Sequence, residues 1–253
     1  MTDFLTTPQG RRLAWNRLPG RGPGVVFLGG FGSDMEGTKA RFLQDWAAAR
    51  GQAFLRFDYS GHGQSSGRFD EGCIGDWAAD ARAALDALTE GPQVLVGSSM
   101  GGWISLLLAR ALPDRVAGLV GIAAAPDFTR RTWAEELTEA QRQEVAARGL
   151  VEMPSAYGAP YVFTRRLFED GARNLVLESP LALPFPVRLL QGTADADVPP
   201  AVALRLLDHA ESPDLRLTLV KGADHRFSAP ADLALIAATV EEVLALAGGR
   251  SGL

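Results

Sequence analysis

Apolar residues fall along the chain in two recurring spacings. Short apolar or β-branched runs, Val25-Val26-Phe27-Leu28, Ala53 to Phe57, Val94-Leu95-Val96, Val116 to Ile122, Val187 to Leu190 and Leu215 to Val220, predict strands. Runs with little polar alternation mark strands buried on both faces. Between them lie longer stretches with helical spacing, at about Lys39 to Arg50, Asp76 to Leu88, Trp103 to Leu112 and Ala231 to Leu246. Alternation of this kind predicts an α/β fold, a mainly parallel, doubly wound sheet covered on both faces.

The rhythm breaks twice. Phe4 to Thr7 and Arg12 to Asn16 lie too close together for a crossover helix and predict an antiparallel hairpin at the sheet edge. Between Asp127 and Pro184 the strands stop for longer than an ordinary connection lasts. That stretch opens with a charged helix, about Thr132 to Arg148. It then turns aromatic and proline-marked, with Tyr157, Pro160, Tyr161, Phe163 and Phe168. It reads as a small cap inserted at about residues 127–184 into a single α/β domain spanning 1–253.

Composition narrows the partners. Hydrophobic residues make up 47% and charged residues 22%, with a formal net charge of −5. Lysines and arginines form no extended basic run, which argues against a nucleic-acid partner. Cys73 is the single cysteine, so no intramolecular disulfide forms, and it reads as a small structural thiol. No apolar run approaches the roughly 20 residues a membrane span needs. The chain starts without a basic stretch followed by an apolar run, and a cytoplasmic location is expected.

Candidate chemistry begins at Gly97-Ser98-Ser99-Met100-Gly101-Gly102, which follows a predicted strand and precedes a predicted helix. This is a G-x-S-x-G nucleophile elbow in its proper context. A strand that reverses into a helix within a few residues leaves no room for neighbouring side chains, hence the glycines. Ser99, not Ser98, holds the central position. The competing reading is a helix N-cap beside a tight turn, which the flanking strand and helix disfavour.

A serine hydroxyl needs a base to take its proton. Among three histidines, His209 sits near a helix end, where a solvated imidazole is the bland account. His62 lies in the loop Tyr59 to Ser65 and reads as a packing residue. His225 follows the last strand, on the edge where a doubly wound sheet presents its functional loops. The acid falls between serine and histidine in this order of elements. Two aspartates compete in Gly192-Thr193-Ala194-Asp195-Ala196-Asp197. Asp195 has the better spacing after the glycine, while Asp197 reads as a cap for a helix starting at Pro199 or Pro200. Asp224, next to the histidine, is a poor rival. Two backbone N–H groups should meet a developing oxyanion, one from Met100 and one from Phe31 in the loop Leu28 to Asp34. Tyr157, Tyr161, Phe163 and Phe168 are candidates for the substrate-binding wall, though packing of the cap on the sheet accounts for them equally well.

Two longer segments carry a family resemblance. Phe57-Asp58-Tyr59-Ser60-Gly61-His62-Gly63-Gln64-Ser65-Ser66-Gly67 and Gly91 to Trp103 resemble α/β-hydrolase-domain proteins, as do Gly32-Ser33-Asp34-Met35 and Asp224-His225-Arg226. The chain is most similar to the branch that holds mitochondrial palmitoyl-protein thioesterases, which also cleave acyl glucuronides. The resemblance implies hydrolysis of acyl thioesters or esters, small or carried on a protein, without metal or cofactor. It carries the family's serine, aspartate and histidine onto Ser99, Asp195 and His225. Rival readings are a small-ester carboxylesterase, a carbon–carbon bond hydrolase or a non-catalytic binding protein on the same scaffold. A dehalogenase would want aspartate where Ser99 stands.

Overall fold

The structure is a computed structural model that describes residues 2–154 and 160–250. An eight-stranded sheet runs from edge to edge in the order Asp3–Thr6, Arg12–Leu18, Gln52–Phe57, Arg21–Leu28, Gln93–Ser98, Val116–Ile122, Val187–Gly192 and Leu215–Val220. Strand β1 (Asp3–Thr6) and β2 (Arg12–Leu18) form the antiparallel hairpin at one edge. The other strands are β3 (Arg21–Leu28), β4 (Gln52–Phe57), β5 (Gln93–Ser98), β6 (Val116–Ile122), β10 (Val187–Gly192) and β12 (Leu215–Val220). These six pair in parallel, so the loops that leave their C-terminal ends share one rim of the sheet.

Alternating residues of each strand feed two cores. Val25, Phe27, Val94 and Val96 pack under α1 (Thr38–Arg50) and α8 (Pro230–Arg250). Val26, Leu28, Leu95 and Leu119 pack under α2 (Ile74–Leu88) and α3 (Met100–Ala111). Because both faces are covered, the central strands are apolar at nearly every position, which is the unbroken pattern the sequence displays. The edge strand β12 alternates instead between half-buried and exposed residues over most of its length.

Within residues 127–184 the expected charged helix from about Thr132 to Arg148 is broken. These residues run through α4 (Phe128–Arg131), a π-helical turn (Thr132–Glu136), α5 (Glu139–Arg148), an antiparallel pair β7 (Leu150–Met153) and β8 (Tyr161–Thr164), and α6 (Arg165–Gly171). A helix from Thr132 to Arg148 fails because Thr138 starts a new one. Its hydroxyl accepts the Gln141 N–H (3.2 Å), and the Gln141 side chain accepts the Thr138 N–H (2.9 Å). That reciprocal capping box was legible as Thr-x-x-Gln. Asp127 joins the two ends of this stretch, its carboxylate accepting the backbone N–H groups of Val176 and Leu177, both at 2.9 Å. Strands β9 (Leu181–Ala182) and β11 (Ala210–Glu211) make a separate short parallel pair. Helix α7 (Pro200–His209) has Pro199 at its N-cap and no side-chain cap, so Asp197 does not fill the capping role expected of it.

Candidate active site

Ser99 stands between β5 and α3 with φ +53°, a left-handed conformation that non-glycine residues adopt only where the surroundings impose it. Those surroundings are visible. Its N–H donates to the Ile122 carbonyl (3.0 Å), and its carbonyl accepts from Gly102 (2.9 Å) and Ala125 (3.0 Å). Backbone crowding explains the glycines beside it. A Cβ on Gly101 would lie 2.0 Å from the Leu28 carbonyl oxygen, and one on Gly97 would lie 2.4 Å from that of Gly101.

His225 Nε2 lies 3.1 Å from the Ser99 hydroxyl, and its Nδ1 lies 2.9 and 3.1 Å from the two oxygens of Asp195. A carboxylate facing Nδ1 sets the proton there and leaves Nε2 as the acceptor for the hydroxyl. Asp195 is itself held in place. One oxygen accepts the N–H groups of Asp197 (3.0 Å) and Val198 (2.8 Å), and the other accepts Gln191 Nε2 (2.9 Å). Burial pushes its carboxyl up, but these bonds and that from His225 outweigh burial and hold it below the usual carboxylate range. Asp195, Asp197 and His225 could offer a metal three ligand atoms within 4.8 Å of one another. A metal there would have to displace the Asp195–His225 pair.

The loop bearing His225 is anchored from below. Phe227, at φ +48°, is fully buried among α1 and α8 residues, and Asp224 accepts its N–H at 3.1 Å. Lys39 donates from Nζ to the Arg226 carbonyl, and burial lowers its pKa to about 8. Neither Lys39 nor Gln191 carries a signal of its contact in the sequence. An isolated lysine or glutamine in an amphipathic or apolar run has no spacing that marks it.

Ser99 opens onto a cavity of about 840 Å³. Phe31, Tyr161 and Phe163 line it, and the loop carrying Phe31 packs on Ser99, a Cβ on Gly30 falling 3.4 Å from Ser99 Cβ. The Phe31 ring also meets Phe69, Trp77 and Phe128 at 4.7 to 5.8 Å. Met100 is the first residue of α3, directly after Ser99. Phe168 does not line the cavity: it stacks behind Phe163 at 5.8 Å and meets Trp133 edge-on at 5.0 Å, so it braces the wall. Tyr157 falls outside the described residues. The other histidines are engaged elsewhere. His209 is no solvated imidazole, since Nε2 faces the carbonyls of Val176 (3.1 Å) and Ser179 (2.9 Å). His62 is buried, as expected of a packing residue.

Comparison with known proteins fits this geometry. Residues 23–166 match the alpha/beta hydrolase fold. The chain is 38% identical over 244 residues to the rat protein named palmitoyl-protein thioesterase ABHD10, mitochondrial, covering 96% of this chain and 82% of that one. Among solved structures, a putative hydrolase from Agrobacterium vitis S4 superposes with a TM-score of 0.93 at 41% identity, covering 96% of this chain and 98% of the other. Mouse alpha/beta hydrolase domain-containing protein 10 superposes with a TM-score of 0.89 at 37% identity, covering 96% and 97%. The expected cytoplasmic location is overturned: the rat relative and its mammalian counterparts are named mitochondrial. An address is read by receptors from short segments and leaves no mark on a core or a site.

Proposed function

Because the chain belongs to the alpha/beta hydrolase fold family, we propose that it cleaves acyl thioesters or carboxylic esters through a Ser99-His225-Asp195 triad and an acyl-enzyme. The observation that carries the proposal is the unbroken chain of contacts from the Ser99 hydroxyl through both ring nitrogens of His225 to Asp195. Ser99 attacks the substrate carbonyl while His225 Nε2 takes its proton. Asp195 fixes the imidazole tautomer and stabilises the imidazolium without taking the proton itself. The N–H groups of Phe31 and Met100 meet the oxyanion, the latter helped by the positive end of α3. His225 then protonates the departing thiol or alcohol. Water repeats the sequence on the acyl-enzyme and releases the acid.

We further propose that the whole chain is one hydrolase domain, with residues 127–184 as its cap. On this account Tyr161 and Phe163, with Phe31, form the apolar wall of the acyl pocket. The name of the rat relative supports long-chain acyl thioesters, including those on proteins, as the substrate class. A chain-length series of acyl thioesters and matched oxygen esters tests the assignment. The expected result is turnover that favours thioesters with long chains. Preference for short oxygen esters would make it a carboxylesterase, and cleavage of vinylogous diketones alone would make it a carbon–carbon hydrolase. Binding without any turnover would remove the enzyme reading.

A further inference from the structure

His62 is 3% exposed and lies edge-on to the rings of Tyr59, Phe69 and Trp77 at 5.1 to 5.5 Å. Both of its ring nitrogens are engaged. Nδ1 lies 3.1 Å from the Ser60 carbonyl, and Nε2 accepts the Gly32 N–H at 3.3 Å. A carbonyl only accepts and a peptide N–H only donates, so the ring is neutral with its proton on Nδ1. Burial lowers its pKa and favours the same uncharged form.

Gly32 belongs to the turn that carries Phe31. The Ser33 N–H donates to the Gly30 carbonyl at 3.2 Å, and Gly32 has φ +70°, as at the third position of a type II turn. The central peptide of such a turn has two orientations close in energy, and the bond to His62 selects one. The same loop that bears His62 grips this segment once more, through Asp58, whose carboxylate accepts the Met35 N–H at 2.6 Å.

We propose that His62 is a positioning residue for the oxyanion site: by holding the Gly32 N–H it fixes the turn that presents the Phe31 N–H to Ser99. The inference rests on the triad and oxyanion roles proposed above. Preorganised donors stabilise a developing charge because they need not reorient during the reaction. A turn released at Gly32 would shift as a unit against Ser99, carry the Phe31 N–H with it and lose part of that advantage.

Two amide substitutions separate the two bonds of the ring. His62→Gln puts a carbonyl oxygen near the place of Nε2 and keeps an acceptor for Gly32. His62→Asn puts its amide near Nδ1, keeps the Ser60 contact and cannot reach Gly32. With a p-nitrophenyl ester, His62→Asn should lower kcat roughly 10- to 100-fold, part of the loss seen when an oxyanion donor is removed outright, with KM little changed. It should weaken binding of an alkyl trifluoromethyl ketone, which forms a tetrahedral adduct, by a similar factor. His62→Gln should recover most of both. A folded His62→Asn with wild-type kcat and inhibitor affinity would overturn the inference, as would equal damage in the two variants. Should either fail to fold, nitrogen NMR of the wild-type imidazole decides: a proton on Nδ1 supports the assignment and one on Nε2 overturns it. Wild-type enzyme that forms no adduct with the ketone would instead remove the underlying oxyanion reading.

Discussion

His225 Nε2 and Ser99 Oγ lie 3.1 Å apart although 126 positions separate them along the chain. Parallel topology brings them together. Ser99 leaves the end of β5, and His225 leaves the end of β12 three places along the sheet. Asp195 leaves the end of β10 between them, and the Ala194 N–H to Ala223 carbonyl bond (3.0 Å) ties the acid loop to the base loop.

Removing the hydroxyl should remove the chemistry and little else. Ser99→Ala is expected to lower kcat on an activated ester by roughly a thousandfold or more, with the thermal melting temperature near that of wild type. Unchanged turnover would take Ser99 out of the mechanism.

The two neighbouring aspartates should behave differently. Asp195 faces His225 Nδ1, whereas Asp197 donates only its backbone N–H to Asp195 in the bonds described above. Asp195→Asn should therefore reduce kcat far more than Asp197→Asn, by roughly a thousandfold or more if the wrong tautomer forms. The reverse order, measured under saturating substrate, would show that Asp197 is the acid.

Sequence reading reached some of this and missed the rest for identifiable reasons. The strands β3, β5 and β6 are buried on both faces, so hydrophobic runs alone disclosed them. The elbow was legible because steric crowding at Gly97 and Gly101 forces a local motif. The interruption of the expected helix from Thr132 to Arg148 was not, since the break at Thr138 depends on one capping box inside a charged stretch. Phe168 and Phe163 carry the same aromatic signal, and only packing separates the ring that braces from the ring that faces the cavity. Lys39 and His62 bond to backbone groups distant in sequence, and Gln191 to the Asp195 side chain across a folded loop, which no spacing records.

The elbow should tolerate no methyl group at Gly101. A Cβ there would stand 2.0 Å from a backbone oxygen of β3, which cannot swing aside as a side-chain tip could. Gly101→Ala is expected to cost about 3 kcal/mol in urea unfolding and to lower activity in the fraction that folds. A variant of wild-type stability and turnover would contradict the close packing of α3 on β3.

Lys39 should leave a signature in stability above neutral pH. Its folded pKa is about 8 against an ordinary value of 10.5, because burial disfavours its charge. Between those values the unfolded chain binds more protons, so this residue makes stability rise with pH across that window. The penalty is complete below the folded value and gone above the unfolded one. Comparing urea unfolding of wild type and Lys39→Met at about pH 7.5 and 10 should show the wild type gaining on the variant as pH rises. A constant difference would mean that Lys39 is not held in a desolvated site.

The most direct measurement is rapid acid quenching of the enzyme during turnover of an acyl ester or thioester, followed by mass spectrometry of its peptides. The account predicts the acyl mass on the peptide containing Ser99, and its absence from both Ser99→Ala and His225→Ala. Acyl groups found on another residue, or on none while wild-type turnover proceeds through the quench, would contradict it.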